Sequence, residues 1–223
     1  MPNFDLAASL NRFAIACLPA LLGIILHEVA HGWAAKRLGD PTAYALGRLT
    51  LNPFPHIDPV GLLVFALTSM AGPFVFGWAR PVPVNVRYFR NPVRDMMLVA
   101  LAGPLTNMLL ALLFAAALCS ALHILSPAMW SAAGVRFVLR MFQAGVVINF
   151  SLAWLNLLPI PPLDGSRILA WLLPGDLGLR FQSFERFGFV ILLLLLGTGA
   201  LKPVLGPLVL GSADLALYLV GLR

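Results

Sequence analysis

Apolar residues occur in six long runs that are separated by short polar, proline-rich or arginine-bearing segments. The runs cover residues 13–35, 60–79, 96–122, 137–158, 187–201 and 203–221. An α-helix needs about 20 mainly apolar residues to cross a bilayer. The first, third and fourth runs meet this length, the second and sixth are marginal, and the fifth could cross only if it were short or shallow. The pattern predicts an all-α polytopic membrane protein with about five to six apolar segments.

The composition supports a membrane protein and excludes several other classes. Hydrophobic residues make up 60% of the chain and charged residues 11%, whereas soluble domains have about 25% charged residues. The net charge is +6, but the 15 lysines and arginines lie between apolar runs and form no patch with stacking aromatic residues. They are therefore expected to set the membrane topology and not to bind nucleic acid. The two cysteines lie in separate apolar runs, which excludes a zinc ribbon or a disulfide scaffold.

The first apolar run contains the sequence His27-Glu28-Val29-Ala30-His31. Side chains four residues apart share a helix face, so both imidazoles can bind one Zn²⁺ ion. Glu28 then lies close to the water that the metal activates, and its carboxylate can take a proton as the water attacks a carbonyl carbon. The alternative is a pair of buried, hydrogen-bonded histidines. A metal site is favoured, because ionisable residues in membrane segments are costly and usually functional.

A catalytic zinc site usually has three protein ligands, so a third ligand is needed. The best candidate is Asp164, which lies in the proline-rich segment 156–165. Prolines end a helix there, and irregular backbone at membrane depth is tolerated where protein buries it or where it lines a water-filled site. This segment is therefore predicted to line the active site. In the alternative interpretation, Asp164 caps the N-terminus of the next helix at the membrane interface.

The depth of the zinc ligands constrains the topology. His27 lies nine residues before Lys36, which places it roughly 13 Å from a boundary that the lysine marks as cytoplasmic. Asp164 must reach the same depth, and both ligands come late in their segments. The helices at 13–35 and 137–155 should therefore run in the same direction. An odd number of crossings must separate them, although two apolar runs lie between them.

One of these two runs therefore cannot cross the membrane. Residues 60–79 are predicted to enter the membrane and return, because the arginines that follow are cytoplasmic by the positive-inside rule. These arginines are at positions 80, 87, 90 and 94. Residues 81–89 are rich in β-forming residues but interrupted by prolines, so a short extended edge is predicted beside the hairpin, giving a β-like element around 60–90. A locally unwound substrate could pair with this edge by strand addition.

Two motifs together resemble those of the site-2 protease family of intramembrane zinc metalloproteases. They are His27-Glu28-x-x-His31 and Asn156-Leu-Leu-Pro-x-Pro-Pro-Leu-Asp164-Gly165. Segments 52–61, 77–85 and 102–107 also match the family, so the resemblance covers residues 20–170. Such a set of motifs in this order is highly specific.

The resemblance implies an enzyme that hydrolyses peptide bonds in or near the transmembrane segments of membrane-anchored protein substrates. It implies one zinc ion per chain, with His27, His31 and Asp164 as ligands and Glu28 as the general base. It also implies that Asn156 holds the substrate or the oxyanion.

The same resemblance predicts a minimal member of the family. No insertion is long enough for the PDZ domain, and no tail is long enough for the CBS domains, that some relatives carry. We therefore expect a single domain over residues 1–223, with a catalytic core at 10–170 and C-terminal helical segments at 180–223. The expected location is the cell membrane, with the active site nearer the cytoplasmic side.

A non-catalytic membrane protein could use the same ligands to bind or transport a metal or to escort a partner, because intramembrane His, Glu and Asp also mark ion pathways. A transport path needs polar groups through to the other face, and the spans have no second acidic or histidine cluster on their opposite half. A protease is therefore preferred. The sequence does not identify the substrate, show whether an earlier cleavage is required, or decide between a monomer and a homo-oligomer.

Other polar residues near the apolar runs have structural interpretations. His56 could be a spare metal ligand or a gate, but its proline-flanked loop more simply predicts a solvated turn. Asp214 is expected to cap or begin the last helical piece and not to serve as a proton relay. Asn107 and Asn149 are expected to form hydrogen bonds across helices. The number of spans within 187–221 stays open, since this region fits two short spans or one span and an interfacial segment.

Overall fold

The computed structural model describes residues 5–71 and 77–222, apart from the side chains of residues 69 and 71. This part of the chain is mostly helical and contains no β-sheet. Two short 3₁₀ turns, Val86–Tyr88 and Pro127–Ser131, lie in the connections. The helices are α1 (Leu6–Arg37), α2 (Thr42–Ala45), α3 (Pro59–Ala71), α4 (Pro92–Ile124), α5 (Ala133–Asn156), α6 (Asp164–Leu172), α7 (Leu177–Ser183), α8 (Glu185–Gly197) and α9 (Lys202–Leu219).

Three of the described helices, α1, α4 and α5, are long and apolar enough to cross a membrane. Helices α8 and α9 pass the same test only as a pair, and the pair is bent by 77°. The described chain therefore has three membrane-capable helices, or four if the bent pair is one span. This is a multi-pass integral membrane protein, but the five to six segments expected from the sequence are not confirmed. In the second apolar run, the described residues 60–71 belong to α3, whose 13 residues are too few to span a bilayer.

Helix α1 carries clear signals at both ends. The Asp5 carboxylate accepts a hydrogen bond of 3.1 Å from the Ala8 backbone N–H, which satisfies one of the free donors of the first turn. Lys36 and Arg37 occupy the last turn, where the helix dipole stabilises positive charge. Gly39 then turns the chain with a φ of +109°, a conformation that side chains disfavour. Between these ends, residues 27–31 lie in one uninterrupted helix.

The two ends of the segment that contains α3 lie side by side. Ile57 and Ala79 form an isolated antiparallel bridge, and the Arg80 N–H donates to the His56 carbonyl oxygen at 2.8 Å. The two ends of the segment are therefore joined. A hairpin that enters a membrane and returns requires this closure, although residues 72–76 of the predicted hairpin lie outside the described residues.

The extended edge predicted at residues 81–89 is not confirmed. Residues 86–88 form a 3₁₀ turn instead, and the Asn85 side chain caps this turn. No strand is described in the preceding residues, where Pro81 and Pro83 lack the N–H groups that a ladder needs. The prolines therefore outweigh the β-propensity of the valines between them.

Helices α4, α5 and α9 enclose the largest core in the described chain, and α1 packs against α4 and α5. Small residues let these helices approach closely. A Cβ atom at Gly145 of α5, for example, would overlap the Phe114 ring of α4. Trp154 of α5 donates from its indole nitrogen to the Ser212 hydroxyl of α9 at 3.0 Å. The buried members of this core are Ala111, Phe114, Ala115, Val146, Phe150, Val209, Ala213 and Ala216.

Candidate metal centre and active site

Three side chains from two distant parts of the sequence converge on one point. His27 and His31 lie about one turn apart on α1, and Asp164 is the first residue of α6. The Nε2 atoms of the two histidines are 2.9 Å apart, and they lie 3.2 and 3.4 Å from Asp164 Oδ2. The structure therefore brings together the three residues that the sequence predicts as metal ligands.

Hydrogen bonds at Nδ1 determine which nitrogen of each neutral imidazole carries the proton. His31 Nδ1 lies 2.8 Å from the Val99 carbonyl oxygen, which can only accept, so this Nδ1 is protonated. His27 Nδ1 lies 2.6 Å from Asn107 Oδ1. The amide nitrogen of Asn107 is 3.1 Å from the Gly23 carbonyl oxygen, so the amide oxygen must be the atom that faces His27. Both Nε2 atoms therefore present lone pairs.

The three facing atoms fit a divalent metal ion. In the neutral imidazoles that a metal requires, neither Nε2 atom has a proton to donate, and the buried Asp164 Oδ2 atom has no hydrogen-bond partner. Three lone-pair atoms this close repel one another unless a cation lies between them. Two imidazole nitrogens and a carboxylate oxygen are a donor set found in catalytic zinc sites. Ligands about 2.0–2.1 Å from a tetrahedral zinc are about 3.3 Å apart, which is close to the spacing of these atoms.

Gly103 of α4 lies directly against the two imidazoles. A Cβ atom at this position would lie 2.5 Å from His27 Cε1 and 2.6 Å from His31 Cε1. These distances are shorter than carbon atoms tolerate, so only glycine lets α4 pack here. Sequence reasoning missed this residue, because its role depends on a contact between two helices that are far apart in the chain.

Replacing Gly103 with alanine is expected to weaken zinc binding by about 10- to 100-fold, the usual effect of disturbing the surroundings of metal ligands. The added methyl group would displace the imidazoles or α4. Gly134→Ala is a matched control, because a Cβ atom there meets no atom within 4 Å. Competition with a coloured chelator measures the zinc affinity of both purified variants. Equal affinities would contradict the packing role of Gly103.

The Glu28 carboxylate is held in place by a segment outside α1. Its Oε2 atom accepts a hydrogen bond of 2.7 Å from the Val82 backbone N–H. Gly32 provides room for this approach, because a Cβ atom there would lie 2.9 Å from Val82 Cγ1. The Asn85 N–H in turn donates to Asp40 Oδ2 at 2.7 Å. Two carboxylates therefore fix the segment that follows the hairpin, and this segment orients Glu28.

His27 and Glu28 line a cavity of about 630 Å³. Its other walls are mainly apolar residues of α5, α8 and α9, with Asn156 among the few polar ones. Volumes of about 300–1,000 Å³ are typical of ligand sites. The first turn of α8 rests on the loop that precedes Asp164, since a Cβ atom at Gly188 would overlap the Pro161 carbonyl oxygen. The candidate site therefore opens onto a space suited to apolar side chains.

Comparison with known proteins identifies the family. The sequence model of Peptidase family M50 matches residues 14–196, which is most of the chain. The chain belongs to peptidase family M50. YwhC of Bacillus subtilis (strain 168) is 38% identical over 201 residues, which make up 89% of this chain and 87% of YwhC. Rip2 of Mycolicibacterium smegmatis is 33% identical over 187 residues, which make up 82% of this chain and 66% of Rip2.

Both relatives of this M50 protein carry provisional names as zinc metalloproteases. The names, the family and the cluster of His27, His31 and Asp164 agree on zinc as the metal cofactor. No solved structure matches the chain.

Asn156 lies on the wall of the M50 site, at the last position of α5. Its amide nitrogen donates to the Leu152 carbonyl oxygen at 2.9 Å, so the amide is directed back towards its own helix. Asn156 therefore lies beside the cavity, and this hydrogen bond does not connect it to His27, His31 or Asp164.

Two other interpretations of polar residues in this M50 protein are corrected by the structure. His56 lies in a turn as expected, but this turn is not solvated: His56 is only 1% exposed, and its Nε2 atom lies 2.9 Å from the Thr50 carbonyl oxygen. Asp214 lies inside α9 and does not begin it. The alternative for Asp164 is also not supported, since Leu163 occupies the cap position of α6.

Proposed function

We propose that this M50 protein is an intramembrane zinc endopeptidase that hydrolyses peptide bonds in or near the transmembrane segments of membrane-anchored proteins. The observation that carries the proposal is the position of the cluster of His27, His31 and Asp164. Two of its members lie on a membrane-capable helix, and one of these lines a largely apolar cavity. Such a position suits a substrate segment that arrives from the membrane.

The proposed ligands are His27, His31 and Asp164, and the zinc ion that they hold supplies Lewis acidity to the scissile carbonyl and to a nucleophilic water molecule. Glu28 acts as the general base: it accepts the proton of this water and then passes it to the leaving amine. The Val82 N–H keeps one carboxylate oxygen of Glu28 in a fixed direction during both transfers.

Asn156 supplies a hydrogen bond to the substrate in this proposal. Negative charge develops on the carbonyl oxygen during attack, and a side-chain amide N–H near that oxygen stabilises the charge. The amide now donates to the Leu152 carbonyl oxygen, which is a weaker acceptor than an oxyanion. A hydrogen bond from the Asn156 amide to the oxyanion would therefore become stronger as negative charge develops during the reaction.

The substrate must lose its helical structure locally before it is cleaved. A carbonyl inside an α-helix is already bonded to the amide four residues on, and the cavity provides space for a short unwound stretch. The structure does not support strand addition along residues 81–89. The N–H groups of Val82 and Asn85 are engaged by carboxylates, and Pro81 and Pro83 have none to offer.

The charge pattern supports an active site nearer the cytoplasmic side of the cell membrane. Lys36 and Arg37 end α1 about six residues beyond the metal motif, and Arg94 lies in the first turn of α4. Cations beside the ends of spans favour the cytoplasm. We therefore place the end of α1 and the beginning of α4 on that side.

Metal transport is the second candidate function, and the distribution of ligands disfavours it. Within residues 5–71 and 77–222, three or more His, Cys, Asp or Glu side chains come together as a possible metal site at one place, formed by His27, His31 and Asp164. A transport path needs successive sites across the membrane. A single deep site beside a carboxylate base is more consistent with hydrolysis.

Comparing the membrane proteomes of cells that make the wild-type protein or its Glu28→Gln variant tests the proposal. We expect membrane-anchored proteins or fragments to accumulate with the variant, and these would be the substrates. Unchanged membrane proteins together with altered cellular zinc content would instead support transport.

A further inference from the structure

Two buried asparagines connect the zinc centre to α5. Asn107 on α4 and Asn149 on α5 are both 0% exposed. His27 Nδ1 lies 2.6 Å from Asn107 Oδ1, and the Asn107 amide nitrogen donates to Asn149 Oδ1 at 3.1 Å. The Asn149 amide nitrogen donates to the Gly145 carbonyl oxygen at 2.9 Å. A continuous chain of hydrogen bonds therefore runs from a proposed zinc ligand to the backbone of another helix.

Backbone carbonyls determine the direction of every bond in this chain. The Gly145 oxygen can only accept, so the NH₂ group of Asn149 must face it and the amide oxygen must face Asn107. The Gly23 carbonyl of α1 also accepts from the Asn107 NH₂ group, at 3.1 Å. The two oxygens that accept from Asn107 therefore require the same orientation of its amide. This orientation leaves the Asn107 amide oxygen to accept the Nδ1 proton of His27.

The opposite orientation would be incompatible with a metal site. It would place the NH₂ group of Asn107 against His27 Nδ1, and the proton of a neutral imidazole would then move to Nε2. A protonated Nε2 atom has no lone pair for a metal. His31 has no such dependence, because its Nδ1 proton is held by the Val99 backbone carbonyl.

The helices are shaped to admit this chain. A Cβ atom at Gly23 would lie 2.5 Å from Asn149 Oδ1, so glycine at this position lets the amide reach between α1 and α5. If the contact between α1 and α5 were purely apolar, no amide would be needed in the space that Gly23 leaves. Each amide oxygen and nitrogen atom of Asn107 and Asn149 has at least one hydrogen-bond partner, as buried polar networks require.

We propose that Asn149 is a positioning residue for the zinc centre, acting through Asn107 to keep the proton of His27 on Nδ1 and its Nε2 lone pair directed at the metal. This inference rests on the proposed function only in that it takes His27 as a zinc ligand. Asn107 is the direct partner of the ligand, and Asn149 fixes the orientation of that partner together with the Gly23 carbonyl.

Zinc affinity of the full-length protein in detergent, measured by chelator competition, tests the inference. Asn107→Ala is expected to weaken zinc binding by about 10- to 100-fold. Asn149→Ser is expected to weaken it less, by up to about 10-fold, because the Gly23 carbonyl still orients Asn107. Serine can keep a bond to the Gly145 carbonyl oxygen but is too short to reach Asn107, so this variant removes one link and preserves the helix.

The double variant separates positioning from packing. If Asn149 acts through Asn107, adding Asn149→Ser to Asn107→Ala causes no further loss of zinc affinity, whereas independent effects would multiply. Val146→Ala is the matched control, because Val146 is a buried core residue of the same helix and should alter stability without altering zinc affinity. Asn149→Ala provides a second variant if the serine variant does not fold.

Normal zinc affinity in both folded Asn149 variants, or a multiplicative loss in the double variant, would overturn the inference. Wild-type protein that binds no zinc would instead contradict the proposed function. The wild-type measurement therefore distinguishes the two failures.

Discussion

Replacing Glu28 with glutamine is expected to lower kcat/KM by about 10²- to 10⁴-fold, the range contributed by a general acid–base group. Glutamine has nearly the same shape and its carbonyl oxygen can still accept the hydrogen bond from Val82, so the geometry should be preserved. The amide is not basic and cannot take the proton of the water. Zinc content should remain at one ion per chain, because Glu28 is not among the three converging side chains.

The chain offers an exact chemical control for this variant. Glu185 is the other glutamate in the sequence, and it pairs with Arg167 at 2.7 Å, at the first position of α8. Glu185→Gln makes the same chemical change and should leave turnover nearly unchanged. Rates on a purified membrane-anchored substrate compare the two variants. Near-normal cleavage by Glu28→Gln would remove the general-base assignment.

Replacing Asp164 with alanine is expected to weaken zinc binding by more than about 100-fold. Loss of a partner that only supports a ligand costs about 10- to 100-fold, and this substitution removes a proposed ligand and its negative charge. The two imidazoles would remain, but catalytic zinc sites usually need three protein ligands. Metal analysis of the purified protein after dialysis should find little zinc.

Asp176→Ala serves as the control for Asp164→Ala. Asp176 is exposed and makes no side-chain cap hydrogen bond at the start of α7. It should retain zinc at the wild-type level. Full retention of zinc in the Asp164 variant would show that the histidines hold the metal with a different third group.

The metal-binding residues could be predicted from the sequence because their chemistry is local. The spacing of His27 and His31 determines a shared helix face wherever the helix lies. The prediction of Asp164 needs a further argument, because proline-rich segments can also end helices at an interface. A catalytic zinc site usually needs a third ligand, and the structure places Asp164 against both imidazoles.

Features that depend on contacts between distant segments could not be predicted. Proline and valine at positions 81–84 carry opposite signals for β-structure, and the structure shows no strand there. His56 is buried, and its carbonyl oxygen accepts from the Arg80 N–H, which belongs to a distant part of the sequence. Gly103 and Val82 act through contacts with α1, about 70 and 50 residues away in the chain, and no periodic pattern records such contacts.

The role of the two buried asparagines could be predicted only in part from the sequence. Asn107 and Asn149 lie in apolar runs, which predicts hydrogen bonding across helices. The sequence does not show that one partner is an imidazole or that backbone carbonyls determine the direction of the chain. The structure supplies both facts.

The contact between Gly188 and Pro161 limits how a large substrate can gain entry. Any outward tilt at the beginning of α8 would release the proline-rich loop from its support and disturb the carboxylate that follows it. At the far end of α8, a Cβ atom at Gly197 would meet no described atom within 4 Å, and Gly199 adopts a φ of +74° at the 77° bend into α9. We therefore expect widening of the wall to occur at this bend, so that a bulky chain can pass without loss of the metal.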